Sequence, residues 1–321
     1  MMQPTTQPMM QRLLPFLSLV VLFVALAIAS PHFLTETNLS SVVRQTAVIN
    51  VMSLGMTLII IAGGIDLSVG AMLAMCGVLG AMAMQSGMPA PVGILVGMLA
   101  GLFWGSVNGF LTTRLRIAPF IVTLGTLGII RGLTLIITNG LPVTRIPQSF
   151  AFLGEGNLLG VPFVLWVVVV CALATHVILE HTRLGRYAFA IGSNPDAAVY
   201  AGVPVAFDTT VIYALGGLLT GLAGMIEASR LMTGQPSAGN GYELQAIAAV
   251  VIGGGSLHGG EGSVIGTLIG ALIMGLLSNG SDLLGISPYL QQAIIGAVII
   301  LAVSVDELRK RRGRAEDGGV S

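Results

Sequence analysis

Charged residues are so sparsely placed in this chain that long stretches contain none. Residues 67–113 carry no Asp, Glu, Lys or Arg, and charged residues make up only 9% of the 321 residues, whereas hydrophobic residues make up 54%. A soluble domain carries about 25% charged residues. An apolar stretch of about 20 residues can cross a bilayer as a helix. The chain is therefore predicted to be an all-α integral membrane protein.

The remaining charges and the glycine- and proline-containing breaks divide the chain into about ten spans. We predict helices over residues 13–31, 45–65, 67–86, 91–113, 117–138, 161–179, 208–229, 243–257, 262–281 and 287–305. The segment 243–257 is short and glycine-rich, so a re-entrant or broken helix stays open there. This division leaves residues 1–12 and 306–321 as tails of a 13–305 membrane domain, and residues 180–207 as its longest connection.

The basic residues predict the orientation of the bundle. Ten spans put both termini on one side, and placing that side in the cytoplasm assigns ten of the 14 basic residues there. These are Arg12, Arg114, Arg116, Arg183, Arg186 and the five basic residues of the C-terminal tail. Cytoplasmic loops of membrane proteins carry such an excess. Both termini are therefore predicted to be cytoplasmic, with the apolar segment after Arg12 acting as an uncleaved signal anchor.

Charge balance and cysteine content exclude several classes of partner and site. The 14 basic and 14 acidic residues cancel, so the chain has no excess charge that would attract nucleic acid. Only Cys76 and Cys171 occur, each within an apolar stretch. Cysteines in such surroundings pack as small hydrophobic residues, so we predict neither a disulfide framework nor a thiolate metal site.

Glycine recurs at helical spacing in several predicted spans. Five glycines repeat every four residues in the fourth span: Gly93, Gly97, Gly101, Gly105 and Gly109. Gly262, Gly266 and Gly270 repeat the pattern, as do Gly217 and Gly221. Small residues at this spacing let helix backbones approach closely in a membrane. Close helix packing is the favoured interpretation, with a role in gating as the alternative.

Asp66 and Glu243 place carboxylates next to apolar spans, where a charge is costly and needs a partner or a function. Asp66 lies in a glycine-flanked break beside Ser68, and Glu243 begins the short glycine-rich segment. Three interpretations of Asp66 stay open: a carboxylate that accepts backbone N–H groups, a group lining a substrate path, or a protonation site. Ser256, His258 and Glu261 form a possible triad, but their glycine-rich flanks lack the supporting residues that such catalysis needs.

The connection 180–207 contains the signals of a short helix. Asn194 suits the N-cap, Pro195 the first helical position and Asp196 the first turn, while Gly202 suits the end. A helix this short is marginal in water alone. It is therefore interpreted as a docking helix for a cytoplasmic subunit, the alternative being a loop packed on the inner surface of its own bundle.

The chain lacks a phosphate-binding loop for ATP. It has a single lysine, Lys310, and no Gly-x-x-x-x-Gly-Lys-[Ser/Thr] sequence. Any ATP must therefore be used by another subunit, and no cofactor is expected on this chain.

Several motifs in order along residues 40 to 305 resemble the ribose-type permeases of bacterial ABC sugar importers. They are residues 63–70 (GGIDLSVG), 108–109 (NG), 119–125 (PFIVTLG), 131–132 (RG), 185–186 (GR), 190–198 (AIGSNPDAA) and 242–254 (YELQAIAAVVIGG). One departure is Gly254-Gly255-Ser256, where the typical member has Gly-Thr-Ser.

The resemblance implies a permease subunit in the bacterial inner membrane. Its expected partners are a second permease subunit, identical or homologous, a cytoplasmic ATPase pair, a periplasmic sugar-binding protein and membrane lipid. It also implies that the short helix is the coupling helix that seats in the ATPase. Its residues would be Asn194, Pro195, Asp196, Ala197, Ala198, Tyr200 and Gly202.

The expected function is translocation of a monosaccharide by alternating access, without catalytic residues or a metal. Because sugars are neutral and rich in hydroxyl groups, the path is expected to offer polar side chains. The candidates are Asp66, Ser68, Asn108, Thr123, Glu243, Gln245 and Asn279. The alternatives are an ion-coupled secondary transporter that uses Asp66 or Glu243 as its proton site, and a membrane-embedded enzyme.

Overall fold

The computed structural model describes residues 9–317, which form thirteen α-helices, one short 3-10 helix and one two-stranded hairpin. The α-helices are α1 (Met9–Ala29), α2 (Glu36–Ile61), α3 (Val69–Gln85), α4 (Ala90–Arg114), α5 (Pro119–Thr138), α6 (Ala151–Glu155), α7 (Phe163–His181), α8 (Arg183–Ser193), α9 (Pro195–Tyr200), α10 (Val205–Leu231), α11 (Tyr242–Ile252), α12 (Val264–Leu283) and α13 (Pro288–Asp317). The 3-10 helix Gln148–Phe150 leads directly into α6, and β1 (Asn157–Leu158) pairs antiparallel with β2 (Val161–Pro162).

Each of the ten predicted spans coincides with an apolar helix in the described part of the chain. Six helices, α2, α4, α5, α7, α10 and α12, are long and apolar enough to cross a membrane. The other four predicted spans correspond to shorter apolar stretches in α1, α3, α11 and α13. The chain is therefore a multi-pass helical membrane protein. The count of ten and the cytoplasmic side of both termini stay predictions.

Some helices extend beyond the boundaries that the sequence predicts. Helix α2 begins at Glu36 instead of residue 45, because the Thr35 hydroxyl caps it by accepting the Asn38 N–H at 3.3 Å. Helix α1 begins at Met9 and α13 continues to Asp317, so both predicted tails are partly helical. The predicted tail residues 1–8 and 318–321 lie outside the described residues.

The core of the bundle is α2, whose apolar residues from Ala47 to Ile61 are almost wholly buried. Helices α7, α10, α11 and α12 pack around it. The α4–α5 turn and α9 lie together at one end of the bundle, where both line the same cavity of about 860 Å³. We call this the α9 end.

Glycine stripes bring helix backbones into direct contact, as the sequence predicts. The five glycines of α4 are buried, Gly93 against α3 and the other four against α10, where a Cβ atom placed on Gly101 would contact Gly217 O and lie 2.9 Å from Gly221 N. A Cβ atom on Gly270 would contact the backbone of Ala249 in α11 in the same way. Close packing of the helices is thus confirmed for these stripes.

Helices α2–α5 and α10–α13 repeat one packing arrangement. Helix α4 packs on α10 as α12 packs on α2, and α3 packs on α10 as α11 packs on α2. In addition, α3 contacts α5 as α11 contacts α13. The two shortest members, α3 and α11, each follow an irregular segment, residues 62–68 and 232–241 respectively. Internal repeats with interrupted helices of this kind are common in transporters.

Candidate functional site

The turn between α2 and α3 buries the Asp66 carboxylate completely. Gly63 starts the turn with a positive φ of 79°, a conformation that favours glycine. Asp66 Oδ1 then accepts hydrogen bonds from Ser68 N at 2.8 Å and Ser68 Oγ at 2.6 Å. The side chain thus closes its own turn, a conformation typical of aspartate in irregular segments.

Helices α4 and α5 add two more predicted residues to this turn. Asn108 Nδ2 donates to Asp66 Oδ2 at 3.1 Å and to Ser68 Oγ at 2.9 Å. Thr123 Oγ1 lies 3.2 Å from Ile65 O and 3.0 Å from Pro119 O. We call Asp66, Ser68, Asn108 and Thr123 the Asp66 cluster, and all four are 0% exposed.

The Asp66 cluster joins the α2–α3 turn to α4 and α5 by hydrogen bonds and does not line an open passage in this conformation. Three donors from Ser68 and Asn108 surround the carboxyl group, so both of its oxygens are hydrogen-bonded. In contrast, Asn108 Oδ1 is buried with no hydrogen-bond partner among the protein atoms described. An unpaired buried acceptor is unfavourable, so this oxygen would be stabilised by a donor that reaches it when the bundle opens.

Glu243 and Gln245 lie at the start of α11, next to the start of α3. A Cβ atom on Gly70 would contact the Glu243 carboxylate and Gly239 O, so these backbones and the carboxylate lie in direct contact. Glu243 therefore sits at the N-terminal end of α3, where the helix dipole favours an anion. Gln245 is half-buried and lies two residues further along α11, on a different face of the helix from Glu243.

Arg131 holds the irregular segment 232–241, a role that sequence reasoning missed. Its Nη1 atom donates to Pro236 O at 2.7 Å and Ala238 O at 3.0 Å. The sequence signal was present, because Arg131 is the one arginine inside a predicted span. Its partners are backbone carbonyls distant in the chain, and no residue pattern identifies such acceptors.

Sequence reasoning also missed an ion pair at the C-terminal end of α10. Arg230 Nη1 lies 2.9 Å from Glu227 Oε2, and Tyr242 Oη lies 3.5 Å from Glu227 Oε1. The spacing of Glu227 and Arg230 along a helix suits such a pair. The pair connects α10 to the start of α11.

Asn279 does not join the other predicted path residues. Its Nδ2 donates to Asn38 Oδ1 at 2.8 Å, and Asn38 Nδ2 donates back to Asn279 Oδ1 at 3.2 Å. This reciprocal amide pair connects α12 to the beginning of α2. The structure therefore separates Asn279 from the Asp66 cluster and from Glu243.

The short helix predicted in the connection 180–207 is present as α9, with the predicted caps. Asn194 Oδ1 accepts the Ala197 N–H at 2.9 Å, Pro195 is the first helical residue, and Gly202 has a φ of 81°. Ala198 is buried, whereas Val199 and Tyr200 are 57% and 92% exposed. The preceding helix α8, which the sequence analysis did not predict, connects α9 to α7.

Among the described residues no group of three or more His, Cys, Asp or Glu side chains could hold a metal ion. Cys76 and Cys171 are both buried, as the sequence predicts. In the possible triad, the backbone N–H of His258 donates to Ser256 Oγ at 3.2 Å.

Comparison with known proteins gives one family and several close relatives. Residues 38–303 match the family described as the permease component of the branched-chain amino acid transport system. The chain is 45% identical to the ribose import permease protein RbsC of Escherichia coli K12 over 91% of this chain and 94% of that protein. RbsC of Bacillus subtilis 168 is also 45% identical, over 92% of this chain and 93% of its own.

A third relative has a different sugar in its name. The L-arabinose transport system permease protein AraH of Escherichia coli K12 is 38% identical over 92% of this chain and 90% of that protein. No solved protein structure matches the chain.

Proposed function

The chain belongs to the ribose-type permease family of ABC importers, and on this basis we propose that it is the membrane subunit of an ATP-driven importer that carries a monosaccharide by alternating access. The observation that carries the proposal is 45% identity over nearly the whole length of a ribose import permease. The relative named for L-arabinose supports the broader class of monosaccharides. The family relationship also supports a location in the bacterial inner membrane.

We propose a sugar path that passes the Asp66 cluster and the start of α11. Asn108 Oδ1 supports it, because this buried acceptor has no protein partner and a sugar hydroxyl is a donor. Glu243 lies at the junction of α3 and α11, against Gly70, and Gln245 follows it in α11. In the alternating-access cycle, separation of these two interrupted helices exposes the polar groups to the passing sugar.

The energy source is proposed to be a cytoplasmic ATPase that docks on α9. Val199 and Tyr200 support this assignment, because both expose apolar surface on a helix that its own bundle buries only at Ala198. The capped ends keep α9 helical, so it can act as a rigid lever on the bundle. ATP is bound by the partner and not by this chain.

A second permease subunit is proposed to pack on α5. Gly125, Gly128 and Gly132 in α5 have no atom within 4 Å of the position that a Cβ would occupy, whereas the glycines of α4 lie against α3 and α10. Open small residues on an apolar helix suit packing against another helix. The remaining proposed partners are a periplasmic sugar-binding protein, which delivers the substrate, and the surrounding lipid.

Reconstitution in proteoliposomes tests the proposed function. The permease is combined with its cognate ATPase and sugar-binding protein, and uptake of labelled ribose and of labelled L-arabinose is measured. ATP supplied on the side of the membrane that carries the ATPase should drive uptake of at least one of the two sugars. A proton ionophore should leave the rate of this uptake unchanged. Uptake that persists without ATPase or ATP, or that stops with the ionophore, would instead favour an ion-coupled transporter.

A further inference from the structure

Three backbone segments meet at the α9 end without any side chain between them. Gly260 N donates to Ile61 O at 2.8 Å, which ties the turn before α12 to the end of α2. Gly192, near the end of α8, packs against both of these segments. A Cβ atom on Gly192 would contact Ile61 O and lie 2.5 Å from Gly260 N. The end of α8 thus rests directly on the backbone of two separate turns.

Two further glycines complete the contact. A Cβ atom on Gly259 would lie 2.8 Å from the Cα atoms of both Gly192 and Gly63. Gly259 and Gly63 also have positive φ angles of 86° and 79°, so a side chain would strain the backbone at either position. We call Gly63, Gly192 and Gly259 the glycine junction.

We propose that the glycine junction transmits movement of α9 to the turn that carries Asp66, which makes these glycines positioning residues for coupled transport. Gly192 lies just before Asn194, the cap of α9, and Gly63 begins the Asp66 turn. Side chains can change rotamer and absorb a displacement, whereas contacting backbones move together. The inference rests on the proposed docking of an ATPase to α9.

The turn before α12 receives the same movement. It contains Gly259 and Gly260 and leads to Ser263, which caps α12 by accepting the Gly266 N–H at 3.1 Å. Displacement of the end of α8 would therefore reach α2 and α12 together. These two helices pack on each other within the core, so the bundle responds as a unit.

The substitution Gly192→Ala tests the junction in the reconstituted complex. Alanine favours a helix over glycine, so α8 itself is not weakened, and the only change is a methyl group forced between three backbones. We expect ATP hydrolysis to continue in the assembled complex while uptake falls about tenfold. A fall of uptake and hydrolysis by the same factor in an assembled complex would overturn the proposal.

Gly259→Ala and Gly254→Ala form a matched pair that separates contact from strain. Both glycines have positive φ angles, 86° and 89°, but Gly254 has no atom within 4 Å of its Cβ position, whereas Gly259 is crowded by Gly192 and Gly63. The proposal expects uncoupling for Gly259→Ala only. Equal uncoupling in both variants would assign the effect to strain and reject the junction.

Amide hydrogen exchange in the wild-type complex gives a test that needs no substitution. Residues 62–68 should change their exchange rate when a non-hydrolysable ATP analogue is added to the complete complex. Unchanged exchange would overturn the proposal even if Gly192→Ala fails to assemble. Absence of ATP-dependent uptake in the wild type would instead reject the proposed function, so the two failures are distinguishable.

Discussion

At the residue scale, Asp66 illustrates how an apolar chain accommodates a buried carboxyl group. Its carboxylate accepts three hydrogen bonds from Ser68 and Asn108, which belong to the turn itself and to α4. Of the interpretations left open by the sequence, acceptance of a backbone N–H is directly observed. A place for Asp66 on the sugar path stays a proposal, because its contact with Asn108 is compatible with a structural role in the turn and with a place on the path.

Asp66→Asn should lower the thermal stability of the purified permease. The new amide group would place donors opposite either Asn108 Nδ2 or the Ser68 donors, and a mismatched buried hydrogen bond costs about 1–3 kcal/mol. The melting temperature in detergent measures the effect. Asp282→Asn is the control, since Asp282 is exposed. Equal melting temperatures for the two variants would contradict the structural role.

Arg131→Met should loosen the segment 232–241. Methionine keeps an apolar stem within α5 but removes the donor to Pro236 O and Ala238 O. Amide exchange across residues 235–241 is expected to accelerate by about tenfold, since hydrogen bonds from a charged donor contribute about 1.5–3 kcal/mol. Arg131→Lys keeps a charged donor and should recover part of the protection. Exchange that is unchanged in Arg131→Met would exclude this role.

At the element scale, α9 offers the simplest test of docking. Tyr200 is 92% exposed, so Tyr200→Ala should change the stability of the permease by less than about 0.5 kcal/mol. Loss of an aromatic anchor should nevertheless weaken binding of the cognate ATPase about tenfold. Affinity for the ATPase, measured with the permease in nanodiscs, reports the effect. Tyr289→Ala is the matched control, since Tyr289 is 86% exposed at the start of α13; equal losses would contradict docking at α9.

The sequence predicts helices well where a charge or a special residue ends them. Helix α9 follows its caps, and α5 ends at Thr138, as predicted, because Asn139 adopts a positive φ of 51°. The predicted segment 243–257 instead ends as α11 at Ile252, because the following Gly253-Gly254-Gly255 run leaves the helix, with Gly254 at a φ of 89°. The predicted span began at residue 45 instead of Glu36, because the first turns of α2 are polar and do not have the apolar composition of a span.

The candidate site was predictable in composition but not in arrangement. Polar residues next to glycine breaks identified Asp66, Ser68 and Glu243, and the resemblance added Asn108 and Thr123. Pairing of Asn279 with Asn38, and of Arg131 with carbonyls of the segment 232–241, depends on how distant helices pack. The residues around Asn279 and Arg131 in the sequence do not indicate these partners. Another polar side chain of similar length at either position would have the same sequence surroundings.

At the scale of the whole molecule, the orientation can be tested with two exposed positions. Leu159→Cys, at the hairpin tip, and Tyr200→Cys, in α9, replace side chains that are 84% and 92% exposed, whereas the native cysteines are buried. A membrane-impermeant maleimide on spheroplasts should label Leu159→Cys at once and Tyr200→Cys only after permeabilisation. The reverse pattern would invert the predicted topology. Epitopes at the two termini should both require permeabilisation, and opposite sides would exclude ten spans.

The α4–α10 contact also limits which amino-acid substitutions the chain can accept during evolution. Every amino-acid change at a glycine codon introduces a Cβ, and at Gly101 that atom has no space between α4 and α10. In a random library selected for growth on the imported sugar, Gly101 should therefore stay glycine in every survivor. Gly128 on α5 is unhindered in the single chain. If Gly128 is retained as strictly as Gly101 among the survivors, their sequences alone would indicate that a neighbouring subunit packs on α5.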